Sequence, residues 1–503
     1  MYDLSRTRTG DLRWIRPPGW SADSGGMIQF FGGGMSLPEN VAVLGAVGLV
    51  LARWLPPGVR RPTTVAAGAV VVASTVVLVV VGLRWQLVPV LVVAAVMLSL
   101  AVPALVRRRD GRPAWRARWW LALPGTVVCL GLIATGPAAV WALPVPVFPR
   151  PSGQFAVGTS VLQWADPDRP ETATPAPDDR RTVVVQLWYP AHPSAAGAER
   201  ARYAGRTAHE AHVVFGALAD YLGVPGFLFD GAADARTRSA PDAAVADTGG
   251  RFPIVLFSPG LGGVRTQNTA WAEELASRGY VVVGVDHPYD SAAVVLADGT
   301  IVRTLVAATG DDVEDERRAN GWTAVRAADL SFVLTQMGRL DRGEIRGPLT
   351  GRLDTDRAAV TGHSVGGAAA LLAARQDARF AAVIDIDGAP RDPDPRPFHQ
   401  PALALSHPVD PAANPTYLPL LTHVLNLSTA TGYLLVVPGS AHTTFTDAPL
   451  FLPPVPSLVG TLGCTDALRM TTATTVAFLD ATLRNAPGDL AALLTAYGEL
   501  TVY

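Results

Sequence analysis

Three side chains that could together activate a serine occur along the carboxyl-terminal half of the chain in the order serine, aspartate, histidine. Ser364 lies in the G-x-S-x-G pattern of residues 362–366, Asp387 ends the run VIDID, and His442 follows the run LLVVPGSA. A serine hydroxyl is a poor nucleophile until a base takes its proton, and the base needs an acid that fixes its tautomer and stabilises its cation. These residue types therefore predict nucleophilic chemistry at Ser364, with His442 as base and Asp387 as acid.

The sequence around Ser364 is that of a strand, a sharp turn and a helix. Residues 357–361 form a short apolar run suited to a buried strand, and residues 367–375 are strong helix formers. In α/β hydrolases this arrangement is the nucleophile elbow, which lifts the serine above the sheet. Gly362 and Gly366 fit that prediction, since a side chain at either position would collide across so tight a turn.

Short apolar runs alternate with helical stretches from residue 253 onwards, which is typical of a mainly parallel sheet. Predicted strands cover residues 253–258, 280–286, 357–361, 381–386, 402–406 and 433–437. Predicted helices cover residues 269–278, 322–339, 367–375, 417–426 and 468–483. An earlier hairpin is expected from residues 155–165 and 182–189, followed by helices and loops over residues 191–250 that cover one side of the sheet. Ligands bind beyond the carboxyl ends of such strands, so Asp387 and His442 should reach the edge that carries Ser364.

Two other aspartates could serve as the acid. Asp385 lies on the same strand as Asp387 and points to the same side, but deeper. The turn at Gly388 favours Asp387 as the residue on the loop. Asp410 follows the next predicted strand, although its neighbours Pro408 and Pro411 suggest a plain loop.

The remaining histidines are weaker candidates for a catalytic role. His363 fills a variable position of the elbow, where packing is expected, and His287 follows a predicted strand, where packing is favoured over a place at the pocket rim. The sequence around His407 and His423 contains no pattern that indicates a role for either histidine. No pair has the H-x-x-x-H spacing of a metal site, so neither a metal nor an organic cofactor is predicted.

An oxyanion formed at Ser364 would need two backbone donors held in place before the reaction. The amide of Val365, directly after the nucleophile, is one candidate. The second should come from the glycine-rich loop of residues 257–266, where Leu261 is the candidate.

Four apolar runs precede the α/β pattern, at residues 41–55, 65–83, 87–106 and 119–143. The second and third are close to the roughly 20 residues that cross a bilayer, and the first is short. The link between the third and fourth runs holds six arginines and that between the second and third only Arg84, so the positive-inside rule places the globular part outside the cytoplasm. Three or four spans are predicted. Arginines also occur in residues 1–38, before the first run. They agree with this orientation only if the first run lies on the inner surface of the membrane.

Composition supports a membrane part joined to a globular part, because 49% of the 503 residues are hydrophobic and 17% are charged. A net charge of -2 gives no reason to expect a nucleic-acid partner. The two cysteines, Cys129 and Cys464, are not expected to pair.

Five motifs, FSPGLGGVRT, LASRGYVVVGVDH, GHSVGG, IDG and GSAHTTFTD, occur in this order. Together they resemble the plasma and intracellular type II platelet-activating factor acetylhydrolases and their bacterial relatives, over residues 155–483. The resemblance implies that Ser364 is the nucleophile, Asp387 the acid and His442 the base. It also implies that the amides of Leu261 and Val365 hold the oxyanion.

Two features depart from this resemblance. Pro259 stands where the family often has a histidine, so a contact of that side chain is missing. The lipoprotein- and membrane-docking surface of the animal enzymes has no counterpart that aligns, and integral spans would replace it.

The sequence as a whole predicts four parts: a flexible leader (1–38), a transmembrane helical region (39–144), a proline-rich linker (145–154) and an α/β-hydrolase domain (155–503). The predicted protein is a multi-pass membrane esterase or lipase that cleaves lipophilic or short-chain acyl esters through an acyl-enzyme, with a lipid or small-molecule ester as substrate and the bilayer as partner. A membrane acyltransferase with the same triad and a non-catalytic binding or sensor module are the alternatives.

Overall fold

The computed structural model describes residues 34–109, 119–306, 309, 311–391, 396–412 and 414–503. In this part of the chain four apolar helices come first, α1 (Leu37–Leu51), α2 (Pro57–Val81), α3 (Val88–Arg109) and α4 (Trp119–Ala142). All four are long and apolar enough to cross a membrane, including the short first run. Most of the predicted leader, residues 1–33, lies outside the described residues.

Polar contacts at the helix ends show which ends lie together. Arg84, between α2 and α3, pairs with Glu39 in the first turn of α1 (Nη1 to Oε1, 3.4 Å). Gln86 Nε2 donates to the carbonyl of Leu143 just after α4 (3.4 Å). At the other end of the bundle, Trp54 Nε1 donates to Thr126 Oγ1 near the start of α4 (3.0 Å). The start of α1, the α2–α3 link and the end of α4 therefore lie on one side of the helical region.

The rest of the chain alternates strands and helices. The strands are β1 (Ala156–Pro170), β2 (Arg180–Ala191), β3 (Ala240–Pro241), β4 (Phe252–Ser258), β5 (Val281–Asp286), β6 (Ala293–Val295), β7 (Ile301–Arg303), β8 (Leu353–His363), β9 (Phe380–Ile386), β10 (Ala402–Ser406), β11 (Gly432–Val436) and β12 (Glu499–Val502). The helices are α5 (Ala208–Tyr221), α6 (Asp230–Ala233), α7 (Thr269–Ser277), α8 (Asp312–Asp341), α9 (Val365–Gln376), α10 (Tyr417–Asn426), α11 (Pro456–Val459), α12 (Cys464–Leu483) and α13 (Leu490–Thr495).

Ten strands form one sheet in the order β12-β11-β10-β9-β8-β4-β5-β2-β1-β3. The six central strands from β11 to β5 are parallel, while β2 and β12 pair antiparallel with their neighbours. Apolar residues of α8, α9 and α10 pack on one face of the sheet, and those of α7, α12 and α13 pack on the other. Burial on both faces explains why these strands are continuous apolar runs, and it confirms the predicted α/β-hydrolase fold.

The structure extends several of the predicted elements and adds others. Helix α8 begins at Asp312 rather than near residue 322, because the Asp311 side chain accepts the amides of Val313 and Glu314 and caps a polar first turn. Strand β12 and the hairpin of β6 and β7 are additional, since such short strands depend on tertiary pairing rather than on a strong apolar pattern.

The predicted linker, residues 145–154, contains no helix or strand and packs against the α/β part. The ring of Phe148 is buried edge-on against Tyr203, with centroids 4.8 Å apart. The amide of Ser152 donates to Glu274 Oε2 on α7 (2.7 Å). The segment therefore holds the start of the α/β part in a fixed position.

Candidate active site

Ser364 occupies a strained turn between β8 and α9. Its backbone angles are φ 58° and ψ -127°, in a region that non-glycine residues rarely adopt. A Cβ at Gly362 would lie 2.2 Å from the carbonyl oxygen of Gly366, and a Cβ at Gly366 would lie 2.1 Å from that of Ser258. The predicted need for glycine at both positions of the elbow is confirmed by these contacts.

Asp387 and His442 meet at the carboxyl edge of the sheet. Their side chains are joined by a hydrogen bond of 2.6 Å between His442 Nδ1 and Asp387 Oδ2. Because a carboxylate only accepts, Nδ1 carries the proton, and Nε2 is then free to accept one. Ser364, Asp387 and His442 line one cavity of about 350 Å³. The fold thus brings together the three residues whose order in the sequence suggested a triad.

Asp385, the rival acid, lies below this site. Its Oδ1 accepts the amide of Gly388 (3.0 Å), while Oδ2 is buried without a hydrogen-bond partner. Burial and the neighbouring charge of Asp387 raise the pKa of Asp385 well above its ordinary value. A neutral carboxyl cannot stabilise an imidazolium. Asp410 is exposed at the cavity rim, where its Oδ1 accepts the amide of Ala412.

His407 is a further member of the site that the sequence did not single out. Its Nδ1 lies 2.7 Å from Asp387 Oδ2, and its amide donates to Asp387 Oδ1 (2.9 Å). Tyr417 donates its hydroxyl proton to the same Oδ1 (3.3 Å). One signal was available: His407 directly follows β10, the strand beside β9, so it reaches the same edge of the sheet as Asp387.

These donors set the charge of Asp387. Burial alone would raise the pKa of its carboxyl, but the hydrogen bonds from His407 and His442 outweigh burial and hold that pKa below the ordinary range. The same carboxylate raises the pKa of His407, more than partial burial lowers it. Asp387 is therefore an anion at neutral pH.

A chain of hydrogen bonds ties the glycine-rich loop to His442. The amide of Gly260 donates to Gln267 Oε1 (2.9 Å), and Gln267 Nε2 lies 2.8 Å from His363 Nδ1. His363 Nε2 in turn lies 2.8 Å from the carbonyl oxygen of His442. Burial, aided by His442, lowers the pKa of His363 to about 3, so its neutral ring accepts at Nδ1 and donates at Nε2. The packing role predicted for His363 is thus a structural link between two parts of the site.

The predicted oxyanion donors follow Ser364 and Gly260 directly along the chain. Val365 lines the cavity, at the first position of α9. A Cβ built at Gly260, the residue before Leu261, would lie 3.5 Å from Ser364 Cβ. The assignment of their two amides to an oxyanion stays a prediction.

Beneath the loop lies a second serine, histidine and aspartate set. Ser258 Oγ is 2.9 Å from His287 Nε2, and His287 Nδ1 is 2.8 Å from Asp329 Oδ2. All three residues have no exposed surface, so no substrate can reach them. This burial agrees with the packing role expected of His287.

Arg326 anchors the glycine-rich loop to the same buried region. Its guanidinium donates to the carbonyl oxygens of Pro259 and Gly260, and it forms a two-pronged pair with Asp290. A planar guanidinium held in this way fixes the loop backbone from below.

The chain is similar in sequence to proteins of one family. The family model described as platelet-activating factor acetylhydrolase, isoform II, matches residues 144–307 and 340–487. A probable 1-alkyl-2-acetylglycerophosphocholine esterase of Arthroderma benhamiae is 28% identical over 285 residues, which are 53% of this chain and 65% of that protein. The platelet-activating factor acetylhydrolase of Cavia porcellus is 31% identical over 156 residues, 28% of this chain and 36% of that protein. The chain thus aligns with less than two thirds of the length of either relative.

A solved structure is similar over a larger share of the chain. The ferulic acid esterase of Streptomyces cinnamoneus superposes with a TM-score of 0.56 and 31% sequence identity. The superposition covers 70% of this chain and 97% of the esterase.

Proposed function

Because the chain belongs to the family of platelet-activating factor acetylhydrolase, isoform II, we propose that it is a serine hydrolase of carboxylic esters. The observation that carries the proposal is the position of Ser364, on a strained elbow at the wall of a cavity that it shares with the hydrogen-bonded pair of His442 and Asp387. The esterase names of its relatives support the same reaction class.

The proposed reaction passes through an acyl-enzyme. Ser364 Oγ attacks the ester carbonyl carbon while His442 Nε2 takes the hydroxyl proton, and the amides of Val365 and Leu261 hold the oxyanion. The C–O bond to the alcohol then breaks, and His442 returns the proton to the leaving alcohol. Water, deprotonated by the same nitrogen, hydrolyses the acyl-serine and releases the carboxylic acid. Asp387 stabilises the imidazolium in both halves of the reaction.

The proposed substrates are lipophilic or short-chain acyl esters. The cavity of about 350 Å³ is at the small end of the range for ligand sites, which supports a short acyl group. The four apolar helices would hold the cavity close to a bilayer, where lipid esters are concentrated. The names of the relatives from Arthroderma benhamiae and Cavia porcellus support an acetylated glycerophospholipid as the first ester to test.

We further propose that the protein is a multi-pass membrane protein whose catalytic part lies on the extracytoplasmic side. The end of α4 leads into the α/β part and lies beside the α2–α3 link, which has Arg84 as its one basic residue. Helix α3 ends, on the opposite side of the helical region, with Arg107, Arg108 and Arg109, and the sequence between it and α4 adds Arg112, Arg116 and Arg118. Such an excess of arginine is typical of cytoplasmic links.

Fluorophosphonate labelling combined with ester turnover tests the proposed reaction. The wild-type protein should label and hydrolyse p-nitrophenyl acetate, and Ser364→Ala should lose labelling and at least a thousandfold of turnover while it stays folded. Ser457→Ala, at an exposed serine far along the chain, is the matched control and should keep both labelling and turnover.

An unlabelled wild-type protein would indicate a binding module. Normal labelling with acyl transfer to an added alcohol, in place of hydrolysis, would indicate an acyltransferase.

A further inference from the structure

Two imidazole rings converge on one buried carboxylate. The Nδ1 atoms of His442 and His407 lie 2.6 Å and 2.7 Å from the same Oδ2 of Asp387. One potential ligand atom from each of the three residues lies within 4.8 Å of the others. The two rings are inclined by 69°, with centroids 6.2 Å apart, so they approach the carboxylate from different directions. Two imidazoles and a carboxylate arranged in this way form a donor set that transition metals use.

The distances are close to those of a metal site. Ligand atoms at roughly 2.0–2.1 Å from a tetrahedral zinc ion lie about 3.3 Å from each other. The present N–O separations are shorter because a proton occupies each of them. The two N–O separations would have to lengthen by about 0.6–0.7 Å, and the two nitrogens, now within 4.8 Å of each other, would have to reach a similar spacing, for an ion to replace the protons.

The group is also accessible. Asp387 is fully buried, but the side chains of His407 and His442 are 32% and 47% exposed, and all three line the cavity. An ion can therefore enter from the cavity and keep a water molecule on its open side. Arg391, which also lines the cavity, is paired with Glu316, and this pairing offsets its repulsion of a metal ion.

We propose that Asp387, His407 and His442 bind a divalent transition-metal ion of the zinc type, and that this ion reversibly inhibits the protein. Two nitrogen ligands favour Zn²⁺ over Mg²⁺ and Ca²⁺, which prefer oxygen. Both rings must bind the ion through Nδ1, so the proton of each neutral imidazole moves through solvent from Nδ1 to Nε2. In His442 this places a proton on the nitrogen that has to accept one from Ser364, and the serine is no longer activated.

The inhibition rests on the proposed function, but the binding does not, so binding is measured first on the inactive variant Ser364→Ala. Added Co²⁺ should give the visible absorption of a low-coordinate nitrogen–oxygen site, and Zn²⁺ should displace it at one ion per chain. Zn²⁺ should also raise the midpoint of thermal unfolding, because it binds the folded state. Adding His407→Gln should weaken Zn²⁺ binding at least tenfold. His423→Gln, the same substitution on the exposed face of α10, should have no effect.

Turnover of the wild-type protein then tests the consequence. Zn²⁺ should abolish p-nitrophenyl acetate hydrolysis, EDTA should restore it, and Mg²⁺ at the same concentration should have no effect. The residual activity of His407→Gln should need at least ten times more Zn²⁺ for half inhibition than that of His423→Gln. Equal Zn²⁺ affinity in Ser364→Ala with and without His407→Gln would overturn the proposed site. If the wild-type protein binds metal at these residues but has no esterase activity, the proposed metal site is supported and the proposed function is wrong.

Discussion

Asp387 is the residue around which the polar groups of the site are arranged. Its two oxygens accept from His442, from the ring and amide of His407, and from the hydroxyl of Tyr417. Its backbone is also strained, with φ 56°. A carboxylate fixed by four donors costs little reorganisation when His442 becomes a cation during the reaction. Asp385, two residues earlier, has the same side chain but only one backbone donor.

Substitution of these two aspartates should separate their roles. Asp387→Asn should lower the turnover number at least a hundredfold, because an amide can hold His442 in the wrong tautomer and cannot stabilise its cation. Asp385→Asn replaces a neutral carboxyl by a neutral amide and should change turnover less than tenfold. Steady-state kinetics on a soluble ester measures both. A larger loss of turnover in Asp385→Asn than in Asp387→Asn would identify Asp385 as the acid of the triad.

Glu273 should make stability depend on pH. Burial, only partly offset by hydrogen bonds from Ser239 and Arg238, raises the pKa of its carboxyl to about 7. Since the folded state binds this proton more tightly than the unfolded chain, the contribution of Glu273 to stability is fully present below pH 4.5 and is lost as the pH rises through 7, by up to about 3 kcal/mol.

The variant Glu273→Gln should remove this dependence. Its thermal midpoint in detergent should exceed that of the wild-type protein at pH 8 and be similar to it at pH 5. A wild-type advantage at pH 8 would show that Glu273 is stabilised as an anion.

At the scale of elements, the site depends on how closely the elbow approaches the loop after β4. Gly366, in the first turn of α9, lies against the carbonyl oxygens of Ser258 and Pro259. Gln267 crosses from that loop to His363 at the end of β8. These contacts leave the nucleophile, the loop and the base little freedom to move independently.

An added methyl group at the elbow should strongly reduce both turnover and stability. Gly366→Ala would place Cβ 2.1 Å from a backbone oxygen that cannot move without distorting β4, so we expect at least a hundredfold loss of turnover together with a lower unfolding midpoint. The control is Gly216→Ala in α5, where a Cβ meets nothing within 4 Å. That substitution should leave turnover unchanged and stabilise the helix slightly. Both are compared by kinetics and thermal unfolding.

The hydrogen bond from Gly260 to Gln267 gives a milder test of the loop. Gln267→Leu keeps the side-chain volume but removes both polar contacts. If this link orients the loop for the oxyanion, the turnover number should fall tenfold or more while KM changes less than threefold, because the oxyanion exists only after attack. A change confined to KM would indicate that the loop binds the substrate instead.

At the scale of the whole molecule, the helical region and the α/β part are joined by contacts as well as by the chain. Trp85, between α2 and α3, packs edge-on against Phe227, with ring centroids 4.8 Å apart. Phe148 and Ser152 fasten the intervening segment to the α/β part. The helical region and the α/β part therefore pack against each other at Trp85 as well as being joined through the chain.

The proposed orientation can be tested by cysteine accessibility. In a background with Cys129→Ser and Cys464→Ser, Asp298→Cys at an exposed turn should react with a membrane-impermeant maleimide in intact cells. Arg112→Cys, in the arginine-rich link, should react only after the membrane is permeabilised. The reverse pattern would place the α/β part in the cytoplasm.

The sequence by itself determined the class of fold and predicted three residues that line one cavity. Apolar runs long enough for a bilayer, buried strands alternating with helices, and the glycines around Ser364 are local patterns with a local physical cause. The positions of Asp387 and His442 after such strands followed from the same reasoning, since the ends of parallel strands meet at one edge.

Only the tertiary structure decided which polar groups meet. His407 and His442 are separated along the chain by α10 and β11, and nothing in the sequence near either histidine shows that both reach one oxygen of Asp387. The choice between Asp385 and Asp387 likewise depends on depth and on donors that follow β10 and β11 or begin α10. Hydrogen bonds between side chains require a precision of a few tenths of an ångström, and that precision comes from packing across the sheet, which no local pattern encodes.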